Sequence, residues 1–263
     1  MSEETGWKSA FYEAYVSSGQ AGPRTGREAA EFFGTRLAYL RHIVADHIPT
    51  DRNLRILDVA CGSGAMLFVL DQVGYRNIAG VDISQEQIDI AVSLGIASAT
   101  CATLEDFLHA QPAGSVDVVL ALDIFEHLTR PDLMVVLASV CRVLRPGGRC
   151  VAHVPNAEGL YSMAIRYGDF THELAFTRTS ASQIFRVAGF TTVACFEDKP
   201  RIHGLKSLVR RLIWDAGTLP SRLMRTAESG ATGAILSQNM MIEAHTGEQT
   251  GSGLKVMAGS GSR

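Results

Sequence analysis

The sequence lacks the features that mark several large classes of protein. It has no C-x-x-C pair, and its five cysteines are odd in number and widely spaced. This argues against a disulfide framework or a zinc site and for a reducing cytoplasm. No apolar run approaches the roughly 20 residues that span a bilayer, and the polar, acidic start MSEETGWKSA is not expected to be a signal peptide. A formal net charge of −3 gives no general attraction for nucleic acid.

What the chain does contain is an alternation of short apolar runs and helical segments between residues 54 and 155. The predicted strands are LRILDVA, NIAGVDI, SVDVVLAL and GRCVAHV, followed later by Phe190–Phe196 and Ala234–Ala244. The predicted helices are Ala65–Val73, Gln85–Leu94, Leu133–Leu144 and Thr179–Gly189. Strands that alternate with helices build parallel βαβ units with helices on both faces of the sheet. The predicted fold class is therefore α/β.

The most specific motif, DVACGSG at residues 58–64, joins the first strand to the first helix. Its glycines allow a tight turn and a close approach of a ligand to the main chain, and the N–H groups of the helix start favour a polar or anionic group. Asp82 ends the next strand 20 positions after Gly62, where a carboxylate can accept hydrogen bonds from ribose hydroxyls. A dinucleotide fingerprint would need a third glycine at Leu67. Asp58 instead suits a cofactor with a cationic amino-acid group.

The motifs DVACGSG, GVDIS, SVDVVLALDIFEHL and VLRPGGRCVAHVPN together resemble the class I S-adenosylmethionine-dependent methyltransferases, over about residues 54–197. The resemblance implies a Rossmann-like, seven-stranded, mostly parallel sheet with a reversed last strand. It also implies S-adenosylmethionine as cofactor and S-adenosylhomocysteine as product. The cofactor residues that it implies are Asp58 and Ala60, Gly62 and Gly64 at the methionine part, Asp82 at the ribose, Ile83 at the adenine, Leu122 and Asp123 beside the sulfur, and Thr103 or Leu104 through the backbone.

The remaining segments lie at either end of this core. Apolar residues at helical spacing before residue 50 predict helices that close over the cofactor pocket. There Tyr15 is expected to contact the methionine carboxylate or the methyl acceptor. The predicted segments are a helical lid at 1–50, the cofactor-binding core at 51–198, a basic amphipathic helical insertion at 199–228, the last strand at 229–246 and a disordered tail at 247–263.

The methyl acceptor is indicated less directly. After the fourth strand the chain reads DIFE rather than the N/D-P-P-Y/F motif of amine-methylating enzymes, which disfavours an amine. The segments YVSSGQ at 15–20 and DFTHELAFT at 169–177 resemble a subgroup associated with bacterial surface-polysaccharide and sugar modification. We therefore expect O-methylation of a sugar or glycan hydroxyl. A small phenolic or quinone-type metabolite is the alternative, because the core also resembles quinone-biosynthesis O-methyltransferases; a non-catalytic cofactor-binding scaffold is an alternative of another class.

A hydroxyl acceptor needs a base, and two histidines are candidates. His172 is the first, because histidine titrates near neutral pH and its loop is expected to arch over the sulfonium. His127, directly after the fourth strand, is the second. Asp123, Glu126 and His127 could together hold a hard divalent cation. The plainer interpretation is that Glu126 and His127 begin a helix and bind the loop, so we expect no metal; His153 is expected to be structural.

Residues 199–225 contain seven basic residues and one acidic residue, a local net charge of +6. Leucine, valine and isoleucine recur between them, which predicts an amphipathic helix with cations on its polar side. Such a helix could contact an anionic membrane, form a homodimer, or present an ordinary solvated face. The expected partners are thus a small-molecule or glycan acceptor, with no nucleic acid, in the cytoplasm.

Overall fold

A computed structural model describes residues 8, 11, 14, 29–202 and 204–247. The strands are β1 (Ile56–Val59), β2 (Ile78–Asp82), β3 (Ala99–Cys101), β4 (Val116–Leu122), β5 (Leu144–Pro155), β6 (Thr192–Glu197) and β7 (Asn239–His245). The helices are α1 (Ala29–Phe33), α2 (Arg36–His47), α3 (Ala65–Val73), α4 (Gln85–Ser93), α5 (Leu104–His109), a 3₁₀ turn (Phe125–His127), α6 (Arg130–Val143), α7 (Ser162–Arg166), α8 (Arg178–Val187) and α9 (Leu205–Ser229). Among the described residues, no helix is both long enough and apolar enough to cross a bilayer.

The seven strands form one sheet in the order β3-β2-β1-β4-β5-β7-β6. Every neighbouring pair is parallel except the two pairs made by β7. The predicted seven-stranded sheet with a reversed last strand is therefore confirmed. The strand order changes direction between β1 and β4, and ligands of open α/β sheets bind at the carboxyl ends of the strands at such a point.

Strand β4 shows why the central strands are apolar throughout. Val119 and Ala121 belong to one hydrophobic cluster, and Val118 and Leu120 belong to the other. Successive side chains of a strand point to opposite faces, so a strand covered on both faces needs a continuous apolar run. Helices α5, α6 and α8 supply the first cluster, and α1 to α4 supply the second.

Most predicted elements occur close to their predicted bounds, and α3 coincides with its prediction. Strand β5 begins at Leu144 rather than at Gly148, because Leu144 pairs with Val116 ahead of a shift in register. Strand β7 begins at Asn239, and the preceding apolar residues Ile235 and Leu236 are buried in the connecting segment instead. The short elements β3 and α5 were not predicted, since three and six residues carry little periodicity.

The predicted N-terminal lid is described only from residue 29 onward, apart from residues 8, 11 and 14. Its helices α1 and α2 pack against α3 and join the second hydrophobic cluster through buried side chains such as Phe33 and Leu37. Tyr15 and the predicted tail from residue 248 lie outside the described residues. The division of the chain into five segments therefore stays a prediction.

Gly80 in β2 lies directly under the DVACGSG loop. A Cβ atom there would come within 2.7 Å of Leu67 Cδ1 and 2.9 Å of Cys61 Cβ. We expect Gly80→Ala to lower the free energy of unfolding by about 1–3 kcal/mol, the usual cost of overpacking, as measured by urea denaturation. Gly217→Ala in α9 is the matched control, because a Cβ there meets no atom within 4 Å. Equal losses in the two variants would contradict this account of Gly80.

Candidate active site

A cavity of about 590 Å³ opens at the carboxyl ends of β1, β2 and β4. This volume lies within the range of roughly 300–1,000 Å³ that is typical of small-molecule sites. The loop after β1, the end of β2, the start of α5 and the segment after β4 contribute to its wall. The predicted cofactor residues that line it are Asp58, Ala60, Gly62, Asp82, Ile83, Leu104, Leu122 and Asp123.

Gly64 and Thr103 were also predicted to contact the cofactor, but neither lines this cavity. Gly64 does not line the cavity; it precedes α3 with a φ of 85°, and a Cβ there would lie 3.0 Å from Ile96. The positive φ shows that the turn into α3 depends on this glycine. Thr103 caps α5, where its Oγ1 accepts a hydrogen bond from the Asp106 backbone N–H at 3.1 Å. Tyr15 lies outside the described residues.

Asp82 connects the glycine loop to the end of β2. Its Oδ2 accepts a hydrogen bond from Gly62 N–H at 2.8 Å, and its Oδ1 accepts one from Ser84 N–H at 2.9 Å. Burial raises the pKa of Asp82, and these backbone donors oppose the rise. Each carboxylate oxygen retains a lone pair. Asp82 is therefore held in place with acceptor capacity left for ligand hydroxyls at the cavity.

Asp58 and Arg36 place opposite charges in the cavity wall. Asp58 is 2% exposed, and burial raises its pKa to about 7, a rise that nearby Asp82 increases and the Arg36 guanidinium opposes. Arg36 is the first residue of α2 and also lines the cavity. No motif marks it in the sequence; the available signal was a cation opening a helix that was predicted to cover the pocket. An acid and a cation side by side suit a zwitterionic amino-acid group.

The part of the cavity formed by the end of β2 and the start of α5 contains more apolar side chains than the part formed by Asp58 and Arg36. Ile83 lines it with 55% of its surface exposed and so offers the cavity an apolar surface. Leu104 lines the same cavity together with the acid Glu105. Glu105 is thus the carboxylate that the start of α5 brings to this part of the cavity.

Asp123 follows β4 in the left-handed region, with a φ of 57°. Its Oδ1 lies 2.5 Å from Nδ1 of His153, whose Nε2 lies 3.2 Å from the hydroxyl of Tyr39. That hydroxyl donates to Asp198 Oδ2 at 2.9 Å. Burial alone would lower the pKa of His153, but the two carboxylates raise it to about 10. His153 is therefore an imidazolium at neutral pH, in the structural role expected for it, and its charge lowers the pKa of Asp123.

Glu126, His127 and His172 form a buried cluster whose potential ligand atoms all lie within 4.8 Å of one another. The rings of His127 and His172 are 4.7 Å apart between centroids, and His172 Nε2 is 4.0 Å from Glu126 Oε1. The hypothetical cation set of Asp123, Glu126 and His127 is thus not the set that the fold assembles, because Asp123 pairs with His153 instead. One carboxylate and two imidazoles suit Zn²⁺ better than a hard cation.

We nevertheless predict that the site works without a metal. Burial and the nearby Asp123 raise the pKa of Glu126 well above its ordinary value, and burial lowers the pKa of His127 to about 4. Glu126 and His127 are thereby held as neutral groups. Exhaustive chelation should leave the turnover number unchanged within about twofold, the scatter of a kinetic assay. Loss of activity on chelation, restored by added Zn²⁺, would contradict the prediction.

His127 is the member of the cluster that lines the cavity. Its Nδ1 lies 2.7 Å from Thr171 Oγ1, and this hydroxyl donates its proton to Asp169 Oδ1 at 2.6 Å. A hydroxyl that donates to Asp169 can only accept from His127, so the imidazole proton resides on Nδ1. The Nε2 lone pair is then available as an acceptor, and burial keeps the ring neutral by lowering its pKa to about 4.

The segment after β5 folds back onto the 3₁₀ turn. Backbone N–H groups of Glu173 and Leu174 donate to the Glu126 carbonyl at 2.7 and 3.0 Å. Arg166 donates to the carbonyls of His172 and Glu173. His172 consequently packs against His127 and does not line the cavity, whereas His127 does. The contacts agree with the plainer interpretation that Glu126 and His127 bind the loop.

Comparison with known proteins gives the following matches. A family model described as a methyltransferase domain matches residues 31–194. A ubiquinone biosynthesis O-methyltransferase from Sinorhizobium medicae is 31% identical over 133 residues, 46% of this chain and 52% of that protein. One from Chelativorans sp. is 29% identical over 137 residues, 46% of this chain and 51% of that protein. The chain spans about half the length of the curated relatives it matches. A SAM-dependent methyltransferase structure from Archaeoglobus fulgidus has a TM-score of 0.62 at 23% identity, covering 82% of this chain and 97% of that one.

Proposed function

Because the chain belongs to the methyltransferase domain family, we propose that it transfers the methyl group of S-adenosylmethionine to a hydroxyl of a small phenolic or quinone-type acceptor. The family and the fold confirm the predicted methyltransferase class, and with it the cofactor. The names of the curated relatives support O-methylation of a quinone precursor. They do not support the sugar or glycan acceptor that was expected first, nor the polysaccharide-associated subgroup, so the phenolic alternative replaces it.

The charges of the cavity supply a place for each part of the cofactor. In this proposal Arg36 binds the carboxylate of the methionine part and Asp58 binds its ammonium group. Asp82 accepts hydrogen bonds from the ribose hydroxyls, and Ile83 packs against the adenine ring. Leu122, at the end of β4, then lies beside the sulfonium. This arrangement presents the methyl group toward the segment that carries His127.

Cofactor binding should release a proton through Asp58. Its pKa of about 7 in the free protein means that much of it is protonated at pH 6.5, and a bound ammonium group would lower that pKa. The affinity for S-adenosylmethionine should therefore rise as the pH rises to about 7, and level off above. Isothermal titration in buffers of different ionisation enthalpy measures the proton count directly. Asp58→Asn should bind without proton release; release that persists in Asp58→Asn would contradict the assignment.

The proposed class of methyl acceptor rests on how weak a base His127 is. Methyl transfer to oxygen needs the hydroxyl proton removed, and a neutral imidazole whose pKa is lowered to about 4 is a weak base. Such a base suits a phenol, which is a stronger acid than a sugar alcohol. The apolar residues Ile124, Leu128 and Val135 line the same cavity and would accommodate an aromatic ring. The observation that carries this proposal is that His127 lines the cavity while Thr171 holds the ring proton on Nδ1, which leaves Nε2 as the acceptor nitrogen.

A transfer assay with tritiated methyl S-adenosylmethionine tests the proposal. Catechols, hydroquinones and nucleotide sugars should be offered in parallel at equal concentration. We expect label in the catechol or hydroquinone products and none in the sugars. Label confined to the sugars would restore the glycan acceptor. Tight cofactor binding without transfer to any of these acceptors would instead favour the non-catalytic scaffold.

A further inference from the structure

Helix α9 is amphipathic in the opposite sense to the usual surface helix. Its 25 residues, about 37 Å in length, have two buried side chains, Ser207 and Thr218, and both are polar. Trp214 on the same side is half-buried, whereas the leucine, isoleucine, valine and methionine residues lie on the other side, where they face outward. Six of them are Leu205, Val209, Leu212, Ile213, Leu223 and Met224, which are between 48% and 78% exposed. We call this side the outer face of α9.

The arginines of α9 account for this inversion. Arg222 pairs with Glu197 at the end of β6 at 2.6 Å, and Arg225 pairs with Glu158 after β5 at 2.7 Å. Arg211 pairs with Asp215 on the helix itself. The pairs to Glu197 and Glu158 hold the polar side of α9 against the rest of the protein. Arg222 and Arg225 therefore face the protein, whereas the pair of Arg211 and Asp215 lies on the helix surface.

Helix α9 is connected to the sheet at the same edge as the candidate active site. The helix is inserted between the end of β6 and the start of β7. Strand β6 runs parallel to β5, and Pro155 at the end of β5 pairs with Asn239 at the start of β7. Both connections therefore lie at the carboxyl edge of the sheet, which is the edge that carries the cavity.

We propose that the outer face of α9 docks on an anionic lipid bilayer and brings the active site to an acceptor held there. At 100° per residue, the apolar positions cover roughly 160° of the helix circumference. A second helix would bury only a narrow strip of this apolar face, whereas a bilayer surface can bury the whole of it. Lys206 and Arg210 are exposed and lie at one border of the outer face. Among the described residues, no ion pair or hydrogen bond is found to either of these two side chains. Their charge complements anionic headgroups.

Vesicle sedimentation tests the docking without cofactor or acceptor. We expect the wild-type protein to bind vesicles of phosphatidylcholine and phosphatidylglycerol. Combining Leu212→Glu with Leu223→Glu should weaken this binding at least about 100-fold, because two leucines lose their apolar environment. The matched control combines Val92→Glu with Val187→Glu, which are equally exposed apolar residues elsewhere on the surface and should bind as the wild type does.

The charge contribution is tested separately. Combining Lys206→Gln with Arg210→Gln should weaken binding to the anionic vesicles by roughly 30-fold, at about 1 kcal/mol per basic residue, and leave binding to pure phosphatidylcholine unchanged. Equal binding to anionic vesicles would overturn the anionic specificity. A wild-type protein that binds no vesicle, or a dimer by light scattering that Leu212→Glu with Leu223→Glu dissociates, would overturn the bilayer proposal.

The delivery of the acceptor rests on the proposed function. The Leu212→Glu, Leu223→Glu variant should methylate a water-soluble catechol at the wild-type rate, but lose at least about tenfold in rate on a catechol with a long alkyl chain held in vesicles. Equal rates on the vesicle-held catechol would overturn the delivery role. Vesicle binding in a protein that methylates neither catechol would contradict the proposed function and leave the docking intact.

Discussion

Replacing His127 with alanine is expected to lower the turnover number by about 10²- to 10⁴-fold, the range for loss of a general base. His127 lines the cavity, and because its Nδ1 is bound to Thr171, Nε2 is the nitrogen that can accept a proton. Binding of S-adenosylmethionine should be retained, because the polar cofactor contacts proposed here come from Arg36, Asp58 and Asp82 and not from His127. Single-turnover rates and calorimetric titration on the same preparation separate the two effects. Since the pKa of His127 is about 4, its protonation should not limit the rate above pH 5.

Variants of the neighbouring residues make this result interpretable. Thr171→Val removes the group that holds the proton on Nδ1 and should lower turnover about 10- to 100-fold, as loss of an orienting partner does. His172→Gln keeps a polar group behind His127 and should have a smaller effect than His127→Ala. If His172→Gln abolished turnover while His127→Ala remained active, His172 would be the base and the original order of candidates would be right.

Replacing Asp82 with alanine should weaken the binding of S-adenosylmethionine by about 10²- to 10⁴-fold. Two charge-assisted hydrogen bonds to ribose hydroxyls are worth about 1.5–3 kcal/mol each, and the N–H groups of Gly62 and Ser84 lose their acceptor as well. Equilibrium dialysis or calorimetry gives the affinity. Urea denaturation of the free protein checks that the loop variant remains folded.

Glu105→Gln is the matched control for Asp82, because Glu105 is an exposed acid that lines the same cavity. Its affinity for the cofactor should change less than about threefold, in keeping with one exposed hydrogen bond. An Asp82→Ala variant that binds as tightly as Glu105→Gln would remove Asp82 from the cofactor site. The comparison separates a specific contact from a general loss of negative charge.

The sequence was informative wherever a function depends on residues close together in the chain. The DVACGSG loop and Asp82 could be placed because one strand and one helix separate them, and their positions follow from βαβ geometry. Gly64 adopts the positive φ expected of a glycine turn, but its contact with Ile96 could not be predicted, since only the fold brings the two residues together. Of the two alternatives Thr103 and Leu104, Leu104 lines the cavity and Thr103 caps α5, a helix too short to be predicted.

The histidine arrangement depends on contacts that the sequence does not encode locally. His127 and Thr171 are 44 positions apart, and the hydrogen bond between them determines which ring nitrogen carries the proton. Arg36 joins the site from α2, and Tyr39 reaches Asp198 across 159 positions. The outward orientation of the apolar side of α9 could likewise not be predicted from the helical spacing of its residues. Periodicity identifies an apolar side but does not tell which side meets the protein.

The backbone at the ends of β1 and β4 sets a limit on how far this protein can be stabilised without altering its chemistry. Ala60 and Asp123 are the non-glycine residues with positive φ in the described part of the chain, and both line the cavity. Such conformations cost of order 1–3 kcal/mol each. A search for heat-resistant variants would therefore select glycine at these positions, and at Asp123 it would select against the carboxylate that His153 holds in place. Thermostability in this fold is best sought away from these two strand ends.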